Sequence, residues 1–165
     1  MLRWGLILAL AVLALDQVTK ALIVANIAES TSAGLDIREI TSFFNIWHVR
    51  NSGIAFSLGN FNDVGRYAIG TLAFIVAGGL IWMGMRATKS IVIAAYALIA
   101  GGAVGNAFDR LNPGRQTVVD FLDFHIGKMH WPSFNVADSA IVLGVALILI
   151  DMVFFAEKQE QKSSE

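Results

Sequence analysis

The chain contains no cysteine. That excludes disulfides, thiol catalysis, cysteine-ligated metals and lipid attachment to a cysteine of its own. Charge is also sparse. Asp, Glu, Lys and Arg make up 15% of 165 residues, and the formal net charge is −1. No basic field therefore points to nucleic acid. Histidine is scarce as well. His125 and His130 fit neither helical spacing nor strand alternation, and His48 lies in a different loop. Neither a metal nor another cofactor is expected from them. No Ser-His-Asp order or nucleophile-elbow pattern occurs. Asp138-Ser139-Ala140 lacks the glycine of a soluble pepsin-like active-site loop. There is no internal repeat, and the low-complexity content is confined to the polar tail "EKQEQKSSE".

What the chain has in excess is apolar surface. Hydrophobic residues make up 56% without glycine, and the mean hydropathy is +0.63. Soluble domains reach about 45–50% with glycine counted. The excess is gathered into blocks. A spanning helix needs about 20 mostly apolar residues. Four segments qualify, roughly 2–25, 67–85, 91–108 and 136–155. The expectation is one integral-membrane domain: an all-α bundle of four transmembrane helices with a small extracytoplasmic β-rich cradle. The short A-x-A match at Ala9–Ala11 falls inside the first apolar run, and Asp16 and Lys20 follow it. The first segment therefore reads as a retained helix rather than a cleaved leader. Ala97, Gly101 and Gly105 repeat at four-residue spacing, which lets helices approach closely in lipid.

The loops at 27–66 and 109–135 share one side, and the termini and the link "RATKS" share the other. The density of Arg and Lys near the short link favours that side as cytoplasmic. "SFFNIWHVRNSGIAFSL" reads as one or two strands with a turn near Asn51–Gly53. Phe43, Phe44 and Trp47 suit a membrane surface. "TVVDFLDFHI" reads as a strand, with a return strand after Gly127. The segment 67–85 carries nothing ionisable.

The polar residues collect at one depth. At 1.5 Å per residue, Asp16 lies about 20 Å along its helix from Arg3, and Asn106 about 22 Å from Ile91. Asp109 and Arg110 close the third segment, Asp138 opens the fourth, and Asn51 and Asp120 lie in the two loops. Ionisable groups in a membrane are costly unless paired and usually mark function. Each also has a plain structural reading. Asp16 and Lys20, acid first at i and i+4, form a favourable ion pair. Asn135 can cap the fourth helix, with Asp138 as its capping-box acid. Asp109 and Arg110 can be boundary charges, and Asp151 can simply reach the interface. What remains is carboxylate chemistry. Two acids held close share a proton, one serving as base toward water and the other as acid toward the substrate. Asp138 is one candidate. Asp120 or Asp123 is the other, and only one of these can face it, since they are an odd number apart in a strand.

The stretches "DQVTK", "NSGIAFS", "GGAVGNAFDR", "VVDFLDF" and "FNVADSAI" occur in an order that resembles bacterial lipoprotein signal peptidase, or signal peptidase II. Together they cover Asp16 to Ile141; residues 27–40 and the tail match nothing strongly. The resemblance implies an aspartyl membrane endopeptidase that cleaves prolipoproteins before their diacylglyceryl-modified cysteine. It selects Asp120 with Asp138 as the catalytic pair. Asp16, Lys20, Asn51, Gly53, Asn106, Asp109, Arg110 and Asn135 fall on the family's other polar motif positions. It also implies no cofactor, prolipoprotein and membrane-lipid partners, and an active site near the outer surface of the cytoplasmic membrane. Ile54 departs from the more usual alanine, which bears on local cradle packing. A small proton-coupled transporter is the alternative, since intramembrane Asp, Lys and Asn also suit an ion path. A structural membrane subunit is a third reading.

Overall fold

The structure, a computed structural model, describes residues 2–31, 34–53 and 63–155. Ile54 lies outside them. Four helices carry the fold: α1 (Leu2–Asn26), α2 (Asp63–Arg86), α3 (Ser90–Leu111) and α4 (Val136–Phe155). All four are long and apolar enough to cross a membrane. Their exposed faces are greasy: Leu10 and Leu22 on α1, Ile75 and Trp82 on α2, Val142 and Val153 on α4. Such faces are solvated by lipid, so burial within the bundle must be driven by close packing instead.

That packing centres on α3, which touches each of the other helices. Its contact faces are small. A Cβ on Gly101 would stand 2.6 Å from the Ala9 carbonyl, and one on Gly105 would stand 2.6 Å from Asp16 Oδ2. A Cβ on Gly102 would collide with the Ala137 carbonyl at the start of α4. Ala97 is buried on the same helix. The expected small-residue stripe is thus the seam against α1.

Four strands form one antiparallel sheet at one end of the bundle, in the order β1 (Arg38–Thr41), β2 (Phe44–Asn51), β3 (Val118–Ile126) and β4 (Met129–His130). Val119 and Phe121 of β3 pack on Ile23 and Ile27 at the end of α1, with Ile46, Leu122 and Val136 around them. That plug seats the sheet on the helices. After β4 the chain runs back along β3, with Phe134 and Leu122 exchanging backbone hydrogen bonds at 3.2 and 2.9 Å. It is thereby delivered to Asn135 and α4.

Several expectations are corrected here. The turn expected near Asn51–Gly53 is present, but the reversal that separates β1 from β2 comes earlier, between Thr41 and Phe44. Asn51 instead ends β2, and its side chain folds over the next turn, Gly53 N–H donating to Asn51 Oδ1 at 2.9 Å. The Asn-x-Gly signal marked a local Asx turn, which is a smaller object than a hairpin. The second helix starts at Asp63, so it does carry ionisable groups: Arg66 is buried and pairs with Asp63 at 3.1 Å. Asp151 pairs with Lys89 of the short link at 3.0 Å, clamping α4 to the start of α3 at the end opposite the sheet. Trp47 is half-buried. It donates to Ser133 Oγ at 2.9 Å and stacks on His130. His125 and His130 face each other across the β3–β4 hairpin, their rings 4.9 Å apart. A fixed-period spacing test misses this, because a tight reversal brings residues of any separation opposite one another.

Candidate active site

Asp120 and Asp138 reach one cleft from different elements. Asp120 sits on β3, where the alternation Val118, Asp120 turns toward the cleft while Val119 and Phe121 turn into the core. Asp138 sits in the first turn of α4. The cleft measures about 650 Å³, and its other walls include Trp131, Phe134, Ile141, Val142 and Leu143.

Each carboxylate oxygen of the pair accepts an N–H. Asp120 Oδ1 takes Asn135 Nδ2 at 2.7 Å, and Asp120 Oδ2 takes Asn51 Nδ2 at 2.9 Å. Asp138 Oδ1 takes Asn106 Nδ2 at 2.7 Å, and Asp138 Oδ2 takes the Asn135 backbone N–H at 3.2 Å. In return Asn135 Oδ1 accepts the Asp138 N–H at 3.0 Å. That reciprocal pair is the capping box expected from the sequence. Capping and presentation to the cleft are compatible roles for Asp138.

The asparagines cannot turn over. A carboxamide has one accepting and one donating end, so a partner that only donates or only accepts fixes which end faces it. Asn106 Oδ1 accepts from the Lys20 ammonium at 2.9 Å, which leaves its Nδ2 for Asp138. Asn51 Oδ1 accepts the Gly53 N–H, which leaves its Nδ2 for Asp120. Asn135 is fixed by the Asp138 N–H in the same way.

Below the cleft lies a buried charge cluster. Lys20 Nζ stands 2.8 Å from Asp16 Oδ2 and 2.7 Å from Asp109 Oδ2, and all three side chains are completely buried. The expected Asp16–Lys20 pair is present, but Asp109 completes it; it is no boundary charge. Asp16 Oδ1 also accepts the Ala137 N–H at 3.0 Å, at the start of α4. A carboxylate there satisfies one of the helix's free amides and suits its dipole. Arg110 lines the cleft and donates to the Gly53 carbonyl at 2.8 Å. It ties α3 to the segment after β2.

Asp123 takes the other side of β3. It is fully buried, accepts from Asn45 Nδ2 at 2.9 Å and lies 2.8 Å from His130 Nδ1. The alternation argument thus separates it from the cleft, though not from structural duty. Two residues escaped the sequence reading. Gln17 donates to Asp16 Oδ2 at 3.1 Å and to the Gly105 carbonyl at 3.2 Å. Arg115 stands 2.6 Å from Asp109 Oδ1. Gln17 lies inside "DQVTK" and was open to notice; Arg115 sits in a loop with no local signal.

Burial, and then the charge of Asp138, push the Asp120 carboxyl from 3.8 up to about 7, against the opposing pull of its bonds from Asn51 and Asn135. At neutral pH Asp120 can therefore hold a proton. Ser139, next to Asp138 in the cleft lining, donates its hydroxyl to the Asn135 carbonyl at 2.9 Å rather than to either acid, and a close pair of carboxyl groups suits activation of water.

The family described as Signal peptidase (SPase) II matches residues 8–154. A lipoprotein signal peptidase of Azoarcus sp. (strain BH72) is 44% identical over 151 residues, 90% of this chain and 81% of its own length. One of Vibrio vulnificus (strain CMCP6) is 42% identical over 163 residues, 97% of this chain and 92% of its own. Two solved structures, each described as a bacterial membrane enzyme, share the fold. One aligns with a TM-score of 0.75 at 30% identity, over 90% of this chain and 87% of its own. The other aligns with a TM-score of 0.69 at 29% identity, over 92% and 94%. Matched along most of its length by the family and by these relatives, the chain belongs to the signal peptidase II family of membrane proteases.

Proposed function

We propose that this protein removes the signal peptides of prolipoproteins, cutting before the diacylglyceryl-modified cysteine, with Asp120 and Asp138 as its catalytic pair. The observation that carries the reading is the pair itself. Two carboxylates from separate elements line one cleft, every oxygen held by an oriented N–H. Asp138 is the ionised member and takes a proton from water as its oxygen bonds to the scissile carbonyl carbon. Asp120 is the protonated member and gives its proton to the carbonyl oxygen. Collapse of the tetrahedral intermediate breaks the C–N bond: the leaving amine takes up the proton held by Asp138, and one hydroxyl of the intermediate returns its proton to Asp120 as the new carboxyl group forms. No metal, cofactor or covalent intermediate is called for.

The substrate explains the cleft's depth. A prolipoprotein carries both a lipid anchor and an apolar signal helix, so its scissile bond lies at the membrane surface. The cleft joins polar floor residues to an apolar wall on α4, Ile141, Val142, Leu143 and Ala146. In this reading the protein lies in the bacterial cytoplasmic membrane with cytoplasmic termini, its sheet on the outer face. Asn51, Gly53, Arg110 and Asn135 position the pair and the substrate backbone.

The test is direct. Purified protein in lipid or detergent is incubated with a diacylglyceryl-modified prolipoprotein and with the same chain unlipidated. Release of the signal peptide from the lipidated chain is expected. Absence of cleavage by folded protein, or proton-coupled solute uptake into vesicles in its place, contradicts the reading.

A further inference from the structure

The cluster under the cleft is charge-balanced only if Arg115 is counted. Asp16 and Asp109 bring two negative charges, and Lys20 brings one positive. Arg115 Nη1 closes the account from outside, 2.6 Å from Asp109 Oδ1 and 2.7 Å from Gln17 Oε1. Its side chain is 27% exposed, so it enters the cluster from the loop side rather than through the bundle. The loop is shaped to hold it. Gly114 N–H donates to Asn112 Oδ1 at 2.9 Å, and Arg115 N–H donates to the Asn112 carbonyl at 3.0 Å. Gln116 then takes a left-handed φ of 64°, turning the chain into β3. The Arg115 carbonyl accepts from Thr117 Oγ1 at 3.2 Å.

We propose that Arg115 is a positioning residue for the hydrolysis: it supplies the second positive charge that neutralises the Asp16–Lys20–Asp109 cluster and thereby sets the field felt by Asp138 and Asp120. The connection runs through named contacts. Lys20 divides its ammonium among Asp16, Asp109 and Asn106 Oδ1, and Asn106 holds Asp138. Without Arg115, Asp109 makes a stronger claim on Lys20 and the cluster carries an uncompensated negative charge. That charge disfavours ionisation of the acid that must act as base. The other charged groups near the loop are Arg110 on α3 and Arg50 on β2, and Arg50 pairs with Glu29 at 3.6 Å. Neither of these is within ion-pair distance of Asp109 among the described residues, but Arg110 is near enough to feel the charges of Asp138, Asp120 and Asp109; it is left in place in every variant below, so its contribution is common to all the profiles.

The inference rests on Asp120 and Asp138 being the reacting pair, and the test separates the two ideas. The pH profile of kcat/KM for cleavage of a lipidated prolipoprotein is measured for the full-length protein and for Arg115→Gln, Arg115→Lys and Asp109→Asn. In Arg115→Gln the acid limb moves up by roughly half a pH unit or more, the scale of one uncompensated charge in a partly buried site. In Arg115→Lys it stays close to its original position. In Asp109→Asn, which leaves the cluster one charge positive, it moves down. A merely structural role lowers the rate or the folded yield and leaves the limb in place. An unmoved limb in Arg115→Gln, or an equal displacement in Arg115→Lys, overturns the proposal. Should Arg115→Gln fail to fold, an unmoved limb in Asp109→Asn overturns it as well. Normal turnover by Asp120→Asn or Asp138→Asn refutes the reading of the pair itself, whatever the Arg115 profiles show.

Discussion

Asp120 is a buried acid whose carboxyl is held up near 7 by desolvation and by Asp138. That shift has a consequence for stability. Between about 4 and 7 the folded protein keeps a proton on Asp120 that the unfolded chain has released. The resulting stabilisation is therefore full below the unfolded value and is lost as pH rises through 7. Asn, a neutral isostere, does not have this dependence. Asp120→Asn should accordingly gain thermal stability relative to the native protein between pH 5 and pH 8, measured by unfolding in detergent. A difference that does not change with pH contradicts the assignment. Asp123 predicts the opposite profile of effects. It is buried against Asn45 and His130 and away from the cleft. Asp123→Asn should cost about 1.5–3 kcal/mol of stability, the range for a hydrogen bond to a charged group, while folded protein keeps most of its turnover. Loss of turnover at native stability would move Asp123 into the reaction.

At the scale of elements, α3 positions the site because its glycines let α1 and α4 close on it. Gly102→Ala puts a methyl group against the Ala137 carbonyl, a backbone atom one residue from Asp138. Overpacking of this kind costs about 1–3 kcal/mol. It should also depress turnover, because α4 shifts at the residue that carries the base. Gly78→Ala on α2 meets nothing within 4 Å and should be neutral or slightly stabilising. Equal effects in the two variants, measured as melting temperature and specific activity, contradict this packing account. The helices were legible in the sequence because length and hydropathy are local properties. So was the strand placement of Asp120, since "VVDFLDF" alternates within itself. The β1–β2 reversal and the facing of His125 and His130 were not legible, because pairing partners depend on where the chain turns back. Arg115 was hidden for a related reason: a loop side chain finds its partner only after the bundle has assembled.

At the scale of the whole molecule, three helices and the sheet meet at one buried polar layer, and its charges hold the assembly in register. Removing one partner of a buried ion pair costs about 3–5 kcal/mol, whereas replacing both partners is far milder. Asp16→Ala and Lys20→Ala should each lower the yield of folded protein. Asp16→Ala combined with Lys20→Met should recover part of it, because Asp109 then remains paired with Arg115. Native stability with abolished activity in the single variants would place Asp16 and Lys20 in the chemistry instead of the scaffold. The sequence located every member of this layer except Gln17 and Arg115, but it could not show that Asn51, Asn106 and Asn135 each present an N–H to the pair. That depends on which end of each amide is fixed by a distant partner. The central claim is that two carboxylates share the work of one cleft. The measurement that tests it most directly is single-turnover cleavage of a lipidated prolipoprotein by purified, folded Asp120→Asn and Asp138→Asn. Each should accumulate in the membrane and cleave at less than about a hundredth of the native rate, the scale of losing a general acid or base. Near-native cleavage by either one would contradict the account.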